Sequence, residues 1–261
     1  MKTIFSILTI MVIAVTINNV YNVYAQTNNE TSENKTDSST TFDAETVYEQ
    51  KKAVLGNDIK NFVTLIPNEA HESLKIADQL PLANQPYIPQ TITATKGTAI
   101  TWLNGDVDHD HTIKFKTPNP QNLAETESFA SGAYTTINFN QTGQYSYFED
   151  NVNQDDEAFV MEGNISIVDS NEKTQFNTNA SSQPINTAGI LMVPSKDSQS
   201  IISTLEGQGV TTLSSYTFTD LRGGQKGTGP TQTILIWGTQ SDNLDQALSP
   251  IIGVSNDLPY S

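Results

Sequence analysis

From Asn61 onward, short apolar runs and alternations dominate the chain, with the two-residue period of half-buried strands. NFVTLIP begins at Asn61, TITAT at Thr91, AITWL at Ala99, TIKFK at Thr112, YTTINF at Tyr134, YSYF at Tyr145 and NISIV at Asn164. These runs are rich in β-branched and aromatic residues and are separated by glycine and asparagine, the pattern of an all-β sandwich or barrel. INFNQTGQYSYF reads as two strands joined by a turn at Asn140–Gly143. No helix-length periodic segment interrupts residues 87–148, so the region 59–169 is expected to be one β-sandwich.

The pattern changes on both sides. Residues 26–42 carry almost nothing to bury and read as a spacer, and DAETVYEQKKAVL, residues 43–55, reads as a short helix with acids early and lysines late. Together they make a 26–58 leader to the first strand. A polar Asn/Ser-rich stretch, 170–186, is expected to be a linker. Beyond it, GILMVP is a strand, and Ser195 is expected to cap a helix through Ile201, Ile202 and Leu205 that ends near Gly207. VTTLSSYTFT and QTILIW are strands and SDNLDQALSPII a second helix. The order βαββα predicts a small α+β, ferredoxin-like domain over 187–261. The glycine-rich loop RGGQKGTGP lacks Walker spacing and reads as a hairpin connection.

Lys2 precedes an apolar run from Ile4 to Ile17, followed by polar residues and Val23-Tyr24-Ala25. That run is shorter than the roughly 20 residues that span a bilayer. The expectation is a signal peptide over 1–25, hence a secreted or cell-surface protein; an uncleaved segment would make it membrane-anchored. Sequons begin at Asn29, Asn34, Asn140, Asn164 and Asn179. If used, they mark surface positions. Asn164 stands apart because it opens a predicted strand.

The 261 residues carry a net charge of −16, which disfavours nucleic acid as a partner and suits cations or solubility outside a cell. There is no cysteine, which excludes disulfides, zinc–thiolate sites and thiol nucleophiles. No nucleophile elbow is present, and no catalytic constellation is expected.

YIPQTITATKGTAITWLNGDVDHDHTI has a proline strand, a Lys-Gly turn, a tryptophan strand and an Asn/Asp loop ending in His-Thr. TGQYSYFE and MEGNISIV follow in order. Together these segments resemble the cupredoxin family, most closely its plastocyanin-like domains from exported archaeal proteins, over about residues 60–168. The resemblance implies a mainly β fold, a cupredoxin-like Greek-key β-sandwich, followed here by the small α+β domain. It also implies a copper site for electron transfer. Carried over residue by residue, the first histidine ligand falls on His111, the axial methionine on Met161 and the cysteine position on Glu149. No second histidine stands between Glu149 and Met161, where DNVNQDDEAFV supplies Asp150, Asp155, Asp156 and Glu157 instead. The departure removes the thiolate that defines a blue centre.

The chain has three histidines, and two of them, His109 and His111, are spaced i, i+2, which on a strand faces both the same way. Asp108 and Asp110 flank them as candidate orienting acceptors. His71, in NEAHES, is a further candidate if the 71–86 connection folds over the same end. Imidazole with carboxylate suits Cu(II), Zn(II) or Ni(II). The metal set expected is therefore His109, His111, Glu149, Met161 and His71, with copper first and zinc or calcium below it. Asp106, Asp108 and Asp110 form D-x-D-x-D, but the glycine and glutamate of a calcium loop are missing. Two functional readings stand. One is an exported carrier, store or redox-associated protein holding copper at a non-blue His/carboxylate site. The other is a metal-free cell-surface module that contacts other exported or membrane proteins. Without a thiolate, copper-loaded protein is expected to lack the intense visible charge-transfer band of blue copper; its absorption spectrum after Cu(II) titration checks this.

Overall fold

The computed structural model describes residues 42–68, 70, 85–107, 109–116, 124–151, 159–170, 184–219 and 231–256. The 1–25 signal segment, His71, Asp108, most of the 170–186 linker and the loop 222–230 lie outside the described residues.

The chain is mainly β, folded as a sandwich of two mixed sheets. Helix α1, Ala44–Gln50, starts at Asp43, whose Oδ1 accepts from the Thr46 amide at 2.9 Å, a side-chain N-cap. It is shorter than the 43–55 helix expected. Lys51 turns left-handed (φ 55°), and Lys52–Val54 becomes strand β1, paired in parallel with residues 91–93. Edge pairing here outweighs helix propensity.

Strands β2 (Asn61–Ile66), β3 (Thr91–Thr95), β4 (Ala99–Asn104), β5 (Lys114–Phe115), β6 (Tyr134–Asn138), β7 (Gly143–Asn151) and β8 (Phe159–Val168) fall on the predicted runs. Sheet I has the order β1-β3-β8-β7-β5. Sheet II contains β2, β4 and β6, with β4 parallel to β2 and antiparallel to β6. All six residues of β4 are buried, which explains why AITWLN reads as continuous rather than alternating. Between the sheets, Trp102 of β4 meets Tyr147 of β7 edge-on, 5.2 Å between ring centroids, and Tyr87 packs on Tyr147 at 4.9 Å. These rings are fully buried and form the centre of the sandwich.

The C-terminal segment has the βαββα order read from the sequence. It comprises β9 (Thr187–Pro194), α2 (Ser198–Gly207), β10 (Thr211–Thr219), β11 (Thr231–Thr239) and α3 (Leu244–Asn256). β11 lies between β9 and β10, antiparallel to both, which is a split β-α-β unit. Its sheet is continuous with the sandwich: β9 pairs in parallel with β2 at Asn61↔Thr187, Phe62↔Ala188 and Val63↔Gly189. Sheet II therefore runs β10-β11-β9-β2-β4-β6. Helix α1 packs on β10 and β11, where Tyr48 stacks on Phe218 and the Ala44 amide donates to Ser214 Oγ. Ser195 does not cap α2; its hydroxyl bonds Thr233 Oγ1 at 2.8 Å, and α2 begins at Ser198 without a side-chain cap.

In the M-x-G stretch, Gly163 stands directly across from Tyr147 in the β7–β8 ladder. A Cβ built on Gly163 would sit 2.2 Å from the Tyr147 ring, which is itself held by Trp102 and Tyr87. Only glycine leaves room for the ring to lie over the strand. Gly163→Ala is expected to cost about 1–3 kcal/mol through overpacking. In urea unfolding the midpoint should fall with the slope unchanged.

Candidate functional site

The site lies where the loop after β4 meets the ends of β7 and β8. Asn104, the buried last residue of β4, organises the loop: its Nδ2 donates to the carbonyls of His109 (2.8 Å) and Phe129 (3.2 Å), and its Oδ1 accepts from the Asp106 amide (2.8 Å). His111 is then clamped by a two-way backbone bridge to Phe129, at 3.1 and 2.9 Å. The loop thus satisfies its buried polar groups internally, as a non-regular segment inside a core must.

These constraints aim the His111 side chain inward, where it is only 3% exposed. Its Nδ1 lies 2.7 Å from Glu149 Oε2, a charge-assisted hydrogen bond. The other oxygen of Glu149 accepts from the Thr112 amide at 2.8 Å, which fixes the carboxylate. On the far side of the ring, Nε2 is 3.4 Å from Asp106 Oδ2, an ion-pair contact less well aligned than the bond to Glu149. Asp106 is 1% exposed, and its Oδ1 faces His109 Nδ1 at 3.5 Å.

The imidazole is therefore flanked by carboxylates at both nitrogens. Burial alone would lower its pKa, but the hydrogen bonds and charges of Asp106 and Glu149 outweigh burial and raise it from 6.5 to about 9. At neutral pH the ring is an imidazolium. Nearby, burial first and the Glu149 charge second hold the Tyr87 phenol well above its ordinary range, so it stays neutral.

The structure gathers some of the sequence-derived residues and separates others. His111 and Glu149 are in direct contact, and Met161, fully buried, pairs across the ladder from Glu149. His109 is half-exposed and reaches the cluster through Asp106. His71 lies outside the described residues, as does Asp108; Asp110 is exposed. The orienting carboxylate is Asp106, which the sequence reading placed in a calcium-like string. Its only sequence signal is the Asp-x-x-His spacing to His109.

The residues do not fit a copper ion as they stand. His111 Nδ1 and Glu149 Oε2 are 2.7 Å apart, the separation of a direct hydrogen bond, whereas an ion held by both would need each within about 2.1 Å and a wider N···O gap. Among the described residues, no group of three His, Cys, Asp or Glu side chains is arranged to hold a metal.

No protein-family model and no curated protein matches the chain. Among solved structures, the chain is similar to a copper-containing nitrite reductase from Thermus scotoductus, with 14% identity and a TM-score of 0.33 over 46% of this chain and 28% of the reductase. It is also similar to a purple cupredoxin from Nitrosopumilus maritimus, with 18% identity and a TM-score of 0.28 over 41% of this chain and 98% of that one. A reduced auracyanin from Roseiflexus castenholzii gives 14% identity and a TM-score of 0.28, over 42% and 97%. The fold, on its own topology, is a β-sandwich of two mixed sheets. β8 lies between β3 and β7, and the His111 loop closes over the β7–β8 ladder.

A raised folded-state pKa means that the His111 contribution is complete below pH 6.5 and is lost as pH rises through about 9. The shift corresponds to about 3 kcal/mol. Urea unfolding of the wild type should therefore show stability falling between pH 7 and 10, and His111→Ala should abolish that fall. The same substitution leaves buried Asp106 and partly exposed Glu149 without their cation and should cost up to about 3–5 kcal/mol at pH 7.

Proposed function

We propose that this protein is an exported, metal-free cupredoxin-like module that serves in contacts at the cell surface rather than in electron transfer. A single observation carries this reading: the buried His111 ring lies between two carboxylates, with Glu149 Oε2 2.7 Å from Nδ1 and Asp106 Oδ2 3.4 Å from Nε2, an arrangement that a protonated imidazole satisfies without a metal. Glu149 stands at the cysteine position of the family and is fully engaged, by His111 on one oxygen and the Thr112 amide on the other. A carboxylate in that role supplies neither the soft ligand nor the electron path of a copper thiolate. The acidic surface, with a net charge of −16, suits a solvated extracellular protein. Its partners under this reading are other exported or membrane proteins, met through the folded surface, and no catalytic step is assigned.

Calorimetric titration with Cu(II) and Zn(II) at pH 7 separates this reading from the copper-site alternative. Wild type, His109→Ala, His111→Ala and Glu149→Gln are expected to show no stoichiometric binding, or equally weak heats from scattered carboxylates. Tight one-to-one binding that disappears in His111→Ala would overturn the metal-free reading. Such binding should weaken as pH falls, because a proton and a metal exclude one another at imidazole.

A further inference from the structure

We propose that Asn140 is an N-glycosylation site of the folded protein and that Asn164, which opens the same kind of tripeptide, is not one. The inference rests on the export part of the reading above, since this modification belongs to exported chains. A transferase must take the whole tripeptide into its cleft, with the asparagine amide facing the sugar donor and the hydroxyl two residues on within reach of the enzyme. The two sequons differ in whether the fold permits that.

Asn140, Gln141 and Thr142 form the connection between β6 and β7, and all three are exposed. The connection is presented from a firm base. Phe139 is fully buried, its backbone exchanges hydrogen bonds with Thr98 (3.1 Å) and Gly97 (2.8 Å), and its ring meets Tyr145 at 5.0 Å. The Tyr145 hydroxyl donates to the Gln141 carbonyl at 3.0 Å. The tripeptide can enter a cleft without any core residue moving.

Asn164 is exposed, but it lies within β8, which is hydrogen-bonded to β3 on one side and β7 on the other. The next residue, Ile165, is fully buried, so lifting the tripeptide would pull it from the core and open both ladders. The side chains are also engaged: Asn164 Oδ1 accepts from Ser146 Oγ at 2.8 Å, and Ser166 Oγ accepts from Gln144 Nε2 at 2.7 Å. Asn29, Asn34 and Asn179 lie outside the described residues.

The co-reactant is an oligosaccharide carried on a lipid phosphate. Asn140 Nδ2 forms a bond to the anomeric carbon, the bond from that carbon to the phosphate oxygen breaks, the lipid phosphate departs, and the amide gives up one proton.

The test expresses the full chain in an N-glycosylating secretory host, once with its own N-terminal segment and once with a heterologous cleaved leader replacing residues 1–25. Secreted protein is deglycosylated by amidase in heavy-oxygen water, which marks each formerly glycosylated asparagine as labelled aspartate in peptide mass spectra. Label is expected at 140 and absent at 164. Asn140→Gln and Thr142→Ala should each lower the intact mass by one glycan, Thr142→Ser should retain it, and Asn164→Gln should leave it unchanged. Unlabelled Asn140 in secreted protein, or labelled Asn164, overturns the proposal. Secretion and label at 140 with the heterologous leader alone would refute the export reading while upholding the acceptor site.

Discussion

The 2.7 Å hydrogen bond between Glu149 and His111 is the constraint on which the closed end of the sandwich depends. Asp106, which is buried, and Glu149, 13% exposed, bring two carboxylates to opposite sides of one buried imidazole, and the raised basicity of that ring supplies a compensating positive charge. The loop geometry from Asn104 to His111 then follows, because the ring must reach both acids at once and the backbone must satisfy its own polar groups on the way. In the cupredoxin pattern that the sequence resembles, a metal ties the corresponding loop to the two long strands. Here a charge-assisted hydrogen bond joins His111 to Glu149 of β7, whose cross-strand neighbour Met161 lies on β8.

The positions of the strands were legible because each is short, apolar and bounded by turn residues, and the Trp102 and Gly163 strands carry recognisable neighbours. His111, Glu149 and Met161 were found through motif order. The role of Asp106 was not, because nothing local distinguishes a carboxylate that folds inward from the exposed Asp110 a few residues later. Burial is decided by Asn104 turning the chain, and that requires the third dimension. The raised basicity of His111 was equally hidden, since it needs both acids at once.

The long-range pairing of β2 with β9 was also illegible. Strands more than a hundred residues apart leave no sequence trace of parallel register, and the polar stretch between 170 and 186 reads as a divider whatever the strands beyond it do. Helix α1 shows the converse. Its early acids and late lysines pointed to a longer helix, yet Lys52–Val54 was taken into an edge pairing that no propensity scale contains.

The β2–β9 seam is tight for only part of its length. After Val63↔Gly189 the two strands diverge, and an apolar cleft opens there, lined by Leu65, Leu103, Leu191, Met192 and Ile252. The cleft is partly open to solvent, while the rings of Trp102, Tyr87 and Tyr147 are fully buried. Local opening of the fold is therefore easier at the join of the C-terminal strands to the sandwich than at its aromatic centre.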